Sequence, residues 1–493
     1  MAQFRAKEVP LSNIPRKLFA LLVIVLVGVP ATAQMPPPAT QDVTPRVDKL
    51  FEKWDRTDSP GCALSVMQDG HIVYSHGYGM ADLDHNVTIT PSTVFHVASM
   101  SKQFTAASII LLEEQGKLKL DDDIRKYLPE VPDFGTPITI RELLHHTSGL
   151  RDQWDLLDLA GWRYSLDLIT DDDVMSLVKG QKDLNFKPGE KELYSNTGYT
   201  VLGQIVKRVS GTSLREVTTK NIFEPLGMTN THFRDDHAEI VKNNAYGYQP
   251  DKDGRFRLSL TNFDNVGPTS LHTTVEDLAL WDENFYQPRV GGPDLVAQML
   301  ERGKLNSGEQ LDYASGLMLG KYRGLTIIDH PGSDAGYRAE MARFPEQHFS
   351  VAVLCNSSDT NPSILARSVA DIYLAKQMEP VVPTPPALQL TREQLASVAG
   401  LYWNRDEDQF VNVQMKADKL HFTQGVDDDF VLKPVSEAHF HIADVSWGND
   451  ENVVFLQATQ DKPRRLSDSF RDGKPTVYEF VEKFEPKLGD LSE

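Results

Sequence analysis

Cysteine is almost absent from this chain, which has 2 cysteines among 493 residues. So few thiols exclude a disulfide framework and a thiolate metal cluster. Cys62 and Cys355 both lie in short apolar segments that predict strands. A single cross-strand bridge is one interpretation, and two buried reduced thiols are the other. The sequence leaves both open.

Positive charge is also scarce. The chain has 50 Lys and Arg residues against 70 Asp and Glu residues, a net charge of -20 at pH 7. No run of Lys or Arg offers the basic patch that nucleic-acid phosphates require, so we expect no nucleic-acid partner. The length predicts roughly two or three domains, because a single core rarely grows that large.

Long hydrophobic runs are missing as well. The apolar segment from Leu18 to Val29 is well short of the roughly 20 residues that a membrane-spanning helix needs. It follows Arg16-Lys17 and precedes Ala31-Thr32-Ala33, a small-residue cleavage pattern. These features predict a signal peptide over residues 1–33, and hence a secreted or periplasmic protein with no stable membrane anchor after cleavage.

The remaining sequence predicts an α+β domain followed by a smaller β domain. Residues 34–44 are a proline-rich spacer, and residues 45–378 have strand patterns at both ends of a long helix-rich stretch. Residues 379–388 are too dense in proline for helix or paired strand, so we place a linker there. In residues 389–493 short strand patterns alternate with turns, as in a small antiparallel barrel or sandwich.

One tetrapeptide, Ser99-Met100-Ser101-Lys102, carries a chemical signal. On a helix the Ser99 and Lys102 side chains lie one turn apart, which puts a nucleophile beside a group that can take its proton. The helix-like apolar spacing that follows places Ser99 at a helix N-terminus, where free N–H groups can bind an anion. The spacing alone is weak, because Ser176 and Lys179 repeat it in what we interpret as an ordinary amphipathic helix behind capping acids.

Other catalytic patterns are missing. No Gly-x-Ser-x-Gly sequence occurs, which argues against an α/β-hydrolase. His145 and His146 are adjacent, but no spaced acid or His-Glu-x-x-His pattern accompanies them. We therefore assign these histidines a structural role and expect no metal and no other cofactor.

Two further motifs follow the tetrapeptide in order. Tyr194-Ser195-Asn196 lies in a polar loop that runs into a predicted helix, and His330-Pro331-Gly332 follows a predicted strand over residues 325–328. With these three motifs, residues 45–378 resemble the serine β-lactamase and penicillin-recognising hydrolase superfamily. The resemblance is to its class C-like branch, which includes D-aminopeptidases, D,D-peptidases and esterases. The segment after the linker resembles the lipocalin-like barrel appended to some members.

The resemblance implies a β-lactamase/transpeptidase-like fold, in which an antiparallel sheet carries a helical insertion, followed by a C-terminal antiparallel β-barrel. It also implies that Ser99 attacks a carbonyl, while Lys102 and Tyr194 share the proton transfers. Either residue would need its pKa lowered by about 3 units to act as a base at pH 7. The sequence leaves the choice of base open.

Four further residues are implied in substrate binding. Asn196 would bind the substrate amide, and the backbone N–H groups of Ser99 and Ser333 would hold the oxyanion. His330 and Gly332 belong to the third motif, where the superfamily has Lys-Thr-Gly or His-x-Gly.

The resulting hypothesis is an exported serine hydrolase that acts through an acyl-Ser99 intermediate on a small amide, peptide or ester. A β-lactamase proper is one alternative, and a non-catalytic binding or sensory protein that retains the fold is another. The sequence does not indicate the natural substrate, its stereochemistry or the oligomeric state.

We expect slow or no turnover of penicillins. His330 replaces the fixed positive charge of a lysine that would bind a penicillin carboxylate, and Pro331 removes a hydroxyl donor. Nitrocefin hydrolysis by the purified protein measures this directly. Rapid hydrolysis would contradict the expectation and favour the β-lactamase alternative.

Overall fold

The computed structural model describes residues 43–164, 166–380, 388–405, 409–424, 428–442, 451–459, 462–469 and 475–481. The predicted signal peptide and most of the predicted spacer and linker lie outside these residues. Within the described part of the chain, no helix combines the length and the apolar character needed to cross a membrane.

A six-stranded antiparallel sheet forms the centre of the first domain. Its strands lie side by side in the order Met318–Tyr322, Leu325–Asp334, Tyr337–Phe344, Phe349–Cys355, Cys62–Gln68 and His71–Tyr78. The beginning of the domain therefore pairs with its end, as the sequence predicts for an α+β domain with a helical insertion. Asp69 and Gly70 join strands Cys62–Gln68 and His71–Tyr78. Their positive φ angles of 53° and 76° suit an Asp-Gly hairpin turn.

The helical insertion packs on one face of this sheet. Every residue from Lys102 to Leu112 is buried, so helix Lys102–Glu114 runs through the interior of the domain. It packs against helix Asn196–Ser210 in the largest apolar core. The described α-helices are Thr44–Phe51, Lys102–Glu114, Ile140–Leu144, Gln153–Leu159, Asp171–Gly180, Asn196–Ser210, Leu214–Thr218, Glu224–Leu226, Val275–Glu283, Gly292–Met299, Pro362–Tyr373 and Arg392–Ser397.

Short strands also lie outside the main sheet. They pair in small groups of two or three. Their bounds are Met80–Asp82, Val87–Thr88, Phe95–His96, Ile169–Thr170, His232–Phe233, Tyr248–Pro250, Phe256–Leu258, Phe263–Asp264 and Leu271–Thr273.

A closed antiparallel barrel follows the linker, which confirms the predicted C-terminal fold. Its strands are Gly400–Asn404, Gln409–Lys416, Lys419–Gln424, Asp428–Pro434, His439–Ile442, Glu451–Leu456, Arg465–Ser469 and Thr476–Val481. The first strand pairs with the last, with Tyr402 opposite Phe480. Alternate residues such as Val411, Leu466 and Tyr478 fill the interior, as the pleat of a barrel strand requires.

Ser99 lies at the N-terminal end of a helix, as predicted, in a 3₁₀ turn, Ala98–Ser101, that leads directly into helix Lys102–Glu114. One local prediction needs correction. The strand predicted to end at residue 328 continues to Asp334, so His330-Pro331-Gly332 lies within it. Its antiparallel partner still aligns with it there, although Pro331 has no N–H to donate.

Ser176 lies in an ordinary helix, as interpreted. Helix Asp171–Gly180 begins with a capping box between Thr170 and Asp173. The Ser176 hydroxyl donates to the carbonyl oxygen of Asp172 one turn earlier, at 2.7 Å. The Ser176 hydroxyl is therefore engaged in a hydrogen bond to its own helix backbone.

Cys62 and Cys355 form a disulfide, which resolves the choice that the sequence leaves open. They lie directly opposite each other in antiparallel strands, and both are fully buried. The bridge joins positions 293 residues apart and so ties the first strand of the domain to the last.

Reduction is expected to lower the free energy of unfolding by about 2–5 kcal/mol, because the disulfide restricts the unfolded chain. Urea denaturation with and without dithiothreitol measures the change. A Cys62→Ala/Cys355→Ala variant serves as the control, since its stability should not respond to reductant. Two titratable thiols in unreduced, unfolded protein would contradict the assignment.

Candidate active site

The nucleophile turn and the third motif meet because Gly332 has no side chain. A Cβ at this position would lie 2.2 Å from the carbonyl oxygen of Val97. Glycine therefore lets strand Leu325–Asp334 run directly against the turn Ala98–Ser101 that carries Ser99. This contact brings Ser333 to the rim of the same cavity as Ser99.

Lys102 is the centre of the site. Its Nζ lies 3.1 Å from Ser99 Oγ, 2.9 Å from Asn196 Oδ1 and 2.9 Å from the carbonyl oxygen of Pro268. The amide oxygen and the carbonyl oxygen can only accept hydrogen bonds. When Lys102 is neutral, its two remaining N–H groups satisfy these two acceptors, and its lone pair faces Ser99 Oγ.

Burial tunes this amine toward neutrality. Lys102 is fully buried, and the loss of hydration lowers its pKa to about 7. The negative charges of Asp152 and Asp334 oppose this effect and keep the pKa from falling further. A substantial fraction of Lys102 is therefore neutral at pH 7.

Asp152 sets the orientation of the Asn196 side chain. Its Oδ2 accepts from the Asn196 backbone N–H at 2.5 Å and from Asn196 Nδ2 at 3.0 Å. With Nδ2 held by the carboxylate, the amide oxygen points at Lys102. Asp152 also caps helix Gln153–Leu159 by accepting from Trp154 N–H. Sequence reasoning missed this residue, since capping was its only visible signal.

Tyr194 lies beside the nucleophile and the amine. It lines the same cavity as Ser99, and Lys102 Nζ lies 4.7 Å from the centre of its ring. Loss of hydration at the hydroxyl raises the pKa of Tyr194 above its usual value. Tyr194 is thus a protonated donor at neutral pH, whereas Lys102 is the group with the lowered pKa.

His146 supports the Tyr194 loop from behind. The Ser195 backbone N–H donates to His146 Nδ1 at 3.1 Å, so the ring proton of the neutral imidazole is on Nε2. The His146 ring centre lies 4.3 Å from that of Tyr194. Burial holds the pKa of His146 well below its usual value. His146 therefore holds the backbone of the Tyr194 loop, which is a structural role next to the site.

His330 and Tyr313 adjoin Tyr194 in the wall of the site, with ring centres 6.4 Å from that of Tyr194. The Pro331 carbonyl oxygen, 2.7 Å from His330 Nδ1, can only accept, so Nδ1 carries a proton. His330 Nε2 lies 3.0 Å from the Tyr313 hydroxyl. The sequence contains no motif that would have indicated Tyr313.

Asp334 ends the same strand and anchors it. Its carboxylate accepts from Thr269 Oγ1 at 2.7 Å, lies 2.9 Å from His96 Nε2, and also accepts from the Tyr164 hydroxyl. Burial alone would raise the pKa of Asp334, but these hydrogen bonds hold it below its usual value. The result is an ionised carboxylate directly after Ser333.

A cavity of about 710 Å³ joins these groups. Of the predicted site residues, the structure places six in its wall and leaves Lys102 buried behind Ser99. Those six are Ser99, Tyr194, Asn196, His330, Gly332 and Ser333. Residues of the C-terminal barrel line the same cavity.

Fold and site together define a protein of the serine β-lactamase/transpeptidase superfamily. The family model described as Beta-lactamase matches residues 47–375, so the chain belongs to this family of serine hydrolases.

Two named proteins are similar to this chain in sequence. Penicillin-binding protein 4* of Bacillus subtilis is 31% identical over 333 residues, which cover 65% of this chain and 73% of that protein. A D-aminopeptidase of Gluconobacter oxydans is 25% identical over 351 residues, which cover 71% of this chain. The match spans 64% of the length of the Gluconobacter protein, slightly less than two thirds.

Solved structures share the architecture. An octameric penicillin-binding protein homologue from Pyrococcus abyssi superposes with a TM-score of 0.64 at 26% identity, over 89% of this chain and all of that chain. A D-amino acid amidase from Ochrobactrum anthropi has a TM-score of 0.57 at 20% identity and covers 68% of this chain and 99% of its own. At that identity the amidase supports the fold alone.

Asp152→Asn is expected to lower the rate of Ser99 acylation roughly 10-fold, because the charged hydrogen bonds that orient Asn196 are lost. It should also move the acid limb of the pH–rate profile to lower pH, since the carboxylate charge holds the pKa of Lys102 up. Acylation by a fluorescent penicillin or a fluorophosphonate, followed from pH 5 to 9, measures both effects. Asp158→Asn, an exposed change on the same helix, is the control. An unshifted profile would contradict the positioning role.

Proposed function

We propose that this protein is an exported hydrolase of short D-aminoacyl amides and peptides that works through an acyl-Ser99 intermediate. The observation that carries the proposal is the Lys102 amine, which is desolvated to a pKa of about 7 and surrounded by two pure acceptors and the Ser99 hydroxyl. That arrangement is what a general base for a serine requires.

In the proposed acylation, Ser99 Oγ forms a bond to the substrate carbonyl carbon as its proton passes to Lys102 Nζ. The backbone N–H groups of Ser99 and Ser333 hold the negative charge that develops on the carbonyl oxygen. Breaking the carbon–nitrogen bond requires a proton on the leaving amine. Tyr194, whose pKa is raised, supplies that proton and recovers one from Lys102.

Hydrolysis of the acyl enzyme repeats these steps with water as the nucleophile. Water gives its proton to the same base, and the ester bond to Ser99 breaks as Ser99 Oγ regains a proton. The assignment of Lys102 as the base rests on the opposite pKa shifts of Lys102 and Tyr194.

The substrate class rests on the relatives. The relative from Gluconobacter oxydans is named a D-aminopeptidase, and an amide or peptide bond fits a site with a phenol donor for the leaving amine. Export is supported by the predicted signal peptide and by the buried Cys62–Cys355 disulfide, which is typical of oxidising compartments.

The purified protein is expected to hydrolyse D-alanine p-nitroanilide, with an activity that rises with pH and levels off above about 7 as Lys102 loses its proton. Release of p-nitroaniline measures the reaction. Ser99→Ala should abolish both turnover and labelling by a fluorophosphonate, while Ser176→Ala should change neither. Equal labelling of wild type and Ser99→Ala, or of neither, would favour the non-catalytic alternative.

A further inference from the structure

Residues of the C-terminal barrel line the active-site cavity. Five barrel residues, here called the barrel mouth, line the cavity that contains Ser99: Gln409, Phe430, Asp468, Thr476 and Tyr478. They belong to four strands. Alternate residues of a barrel strand face the interior, and these five lie on the same strand faces as the buried residues of the barrel core. Asp468 and Thr476 are cross-strand partners, one step along from the buried pair Leu466 and Tyr478.

Asp468 is the charged member of the barrel mouth. It is 7% exposed and shares the mouth with the rings of Phe430 and Tyr478. A carboxylate in such surroundings is costly unless it is compensated by charge and hydrogen bonds. Because it can accept about four hydrogen bonds, it can bind a ligand cation beside partners within the protein.

The charge distribution along the cavity favours a cation at the barrel end. At the hydrolase end, Arg338 lies on the strand position opposite Ser333, and its charge interacts with that of Asp334. Among the described residues of the cavity wall, the remaining acidic groups are Glu192, whose pKa burial raises to about 7, and Asp468. At the barrel end, the described lining residues therefore include one carboxylate, Asp468, and no lysine or arginine.

We propose that the barrel mouth is a binding subsite for the end of the substrate remote from the scissile bond, and that Asp468 there binds a protonated amine. The matching substrate is a short peptide or amide with a free amino terminus one or more residues from the cleaved bond. The barrel wall limits how far such a chain extends, so long peptides are poor substrates. This inference rests on the proposed hydrolase function.

Three p-nitroanilides test the inference: D-alanine, D-alanyl-D-alanine and N-acetyl-D-alanyl-D-alanine. Wild type should prefer the free dipeptide over the acetylated one by about 10-fold in kcat/KM, the usual worth of one charge-assisted hydrogen bond. Asp468→Asn should remove that preference. It should leave the single-residue substrate unchanged, because the amine of that substrate lies beside the scissile carbonyl.

Two further variants keep the test decisive. Thr476→Trp fills the barrel mouth, so it should slow hydrolysis of both dipeptides and leave hydrolysis of the single-residue substrate unchanged. This variant tests the subsite even if Asp468→Asn does not fold. Glu479→Gln, on the exposed face of the same strand, is the matched control and should change nothing. Unfolding midpoints of all variants report on folding.

The outcomes separate the inference from the function on which it rests. Asp468→Asn with an unchanged preference for the free amine overturns the inference, as does loss of that preference in Glu192→Gln alone. If wild type hydrolyses D-alanine p-nitroanilide and neither barrel variant alters the dipeptides, only the barrel subsite is wrong. If wild type hydrolyses none of the three, the proposed function itself fails.

Discussion

The site depends on one buried amine. Lys102 sits at the start of a helix whose following residues are also buried, so its ammonium form cannot be hydrated. Its hydrogen bonds run to three separate parts of the chain: Ser99, Asn196 and the carbonyl of Pro268. Each partner must be held in place by the fold, because bulk solvent does not reach the fully buried amine to replace a missing acceptor.

Much of the surrounding structure supplies that support. Asp152 turns the Asn196 amide, and His146 accepts from the backbone of the Tyr194 loop. Gly332 lets its strand lie against the nucleophile turn, and Asp334 anchors the end of that strand. The sheet that carries this strand is closed by pairing of the first and last strands of the domain, which the disulfide joins covalently.

The motif residues could be predicted because their chemistry is local. Ser99 and Lys102 are one helical turn apart, and the order of the three motifs carried the family resemblance. The family, the α+β fold and the barrel are confirmed, while the domain bounds and the roles of the site residues stay predictions. The strand containing His330 was predicted too short, because Pro331 and Gly332 weaken a strand pattern although a neighbouring strand pairs alongside them.

The sequence by itself determined which groups carry the chemistry, since a nucleophile, an amine and a phenol are recognisable from residue type and spacing. Tertiary structure decided how those groups are tuned. The pKa of Lys102 follows from burial, and the orientation of Asn196 follows from Asp152, 44 residues earlier. The barrel's place in the cavity wall is likewise set by packing. Desolvation and long-range contact arise only when distant segments meet, so no local pattern contains them.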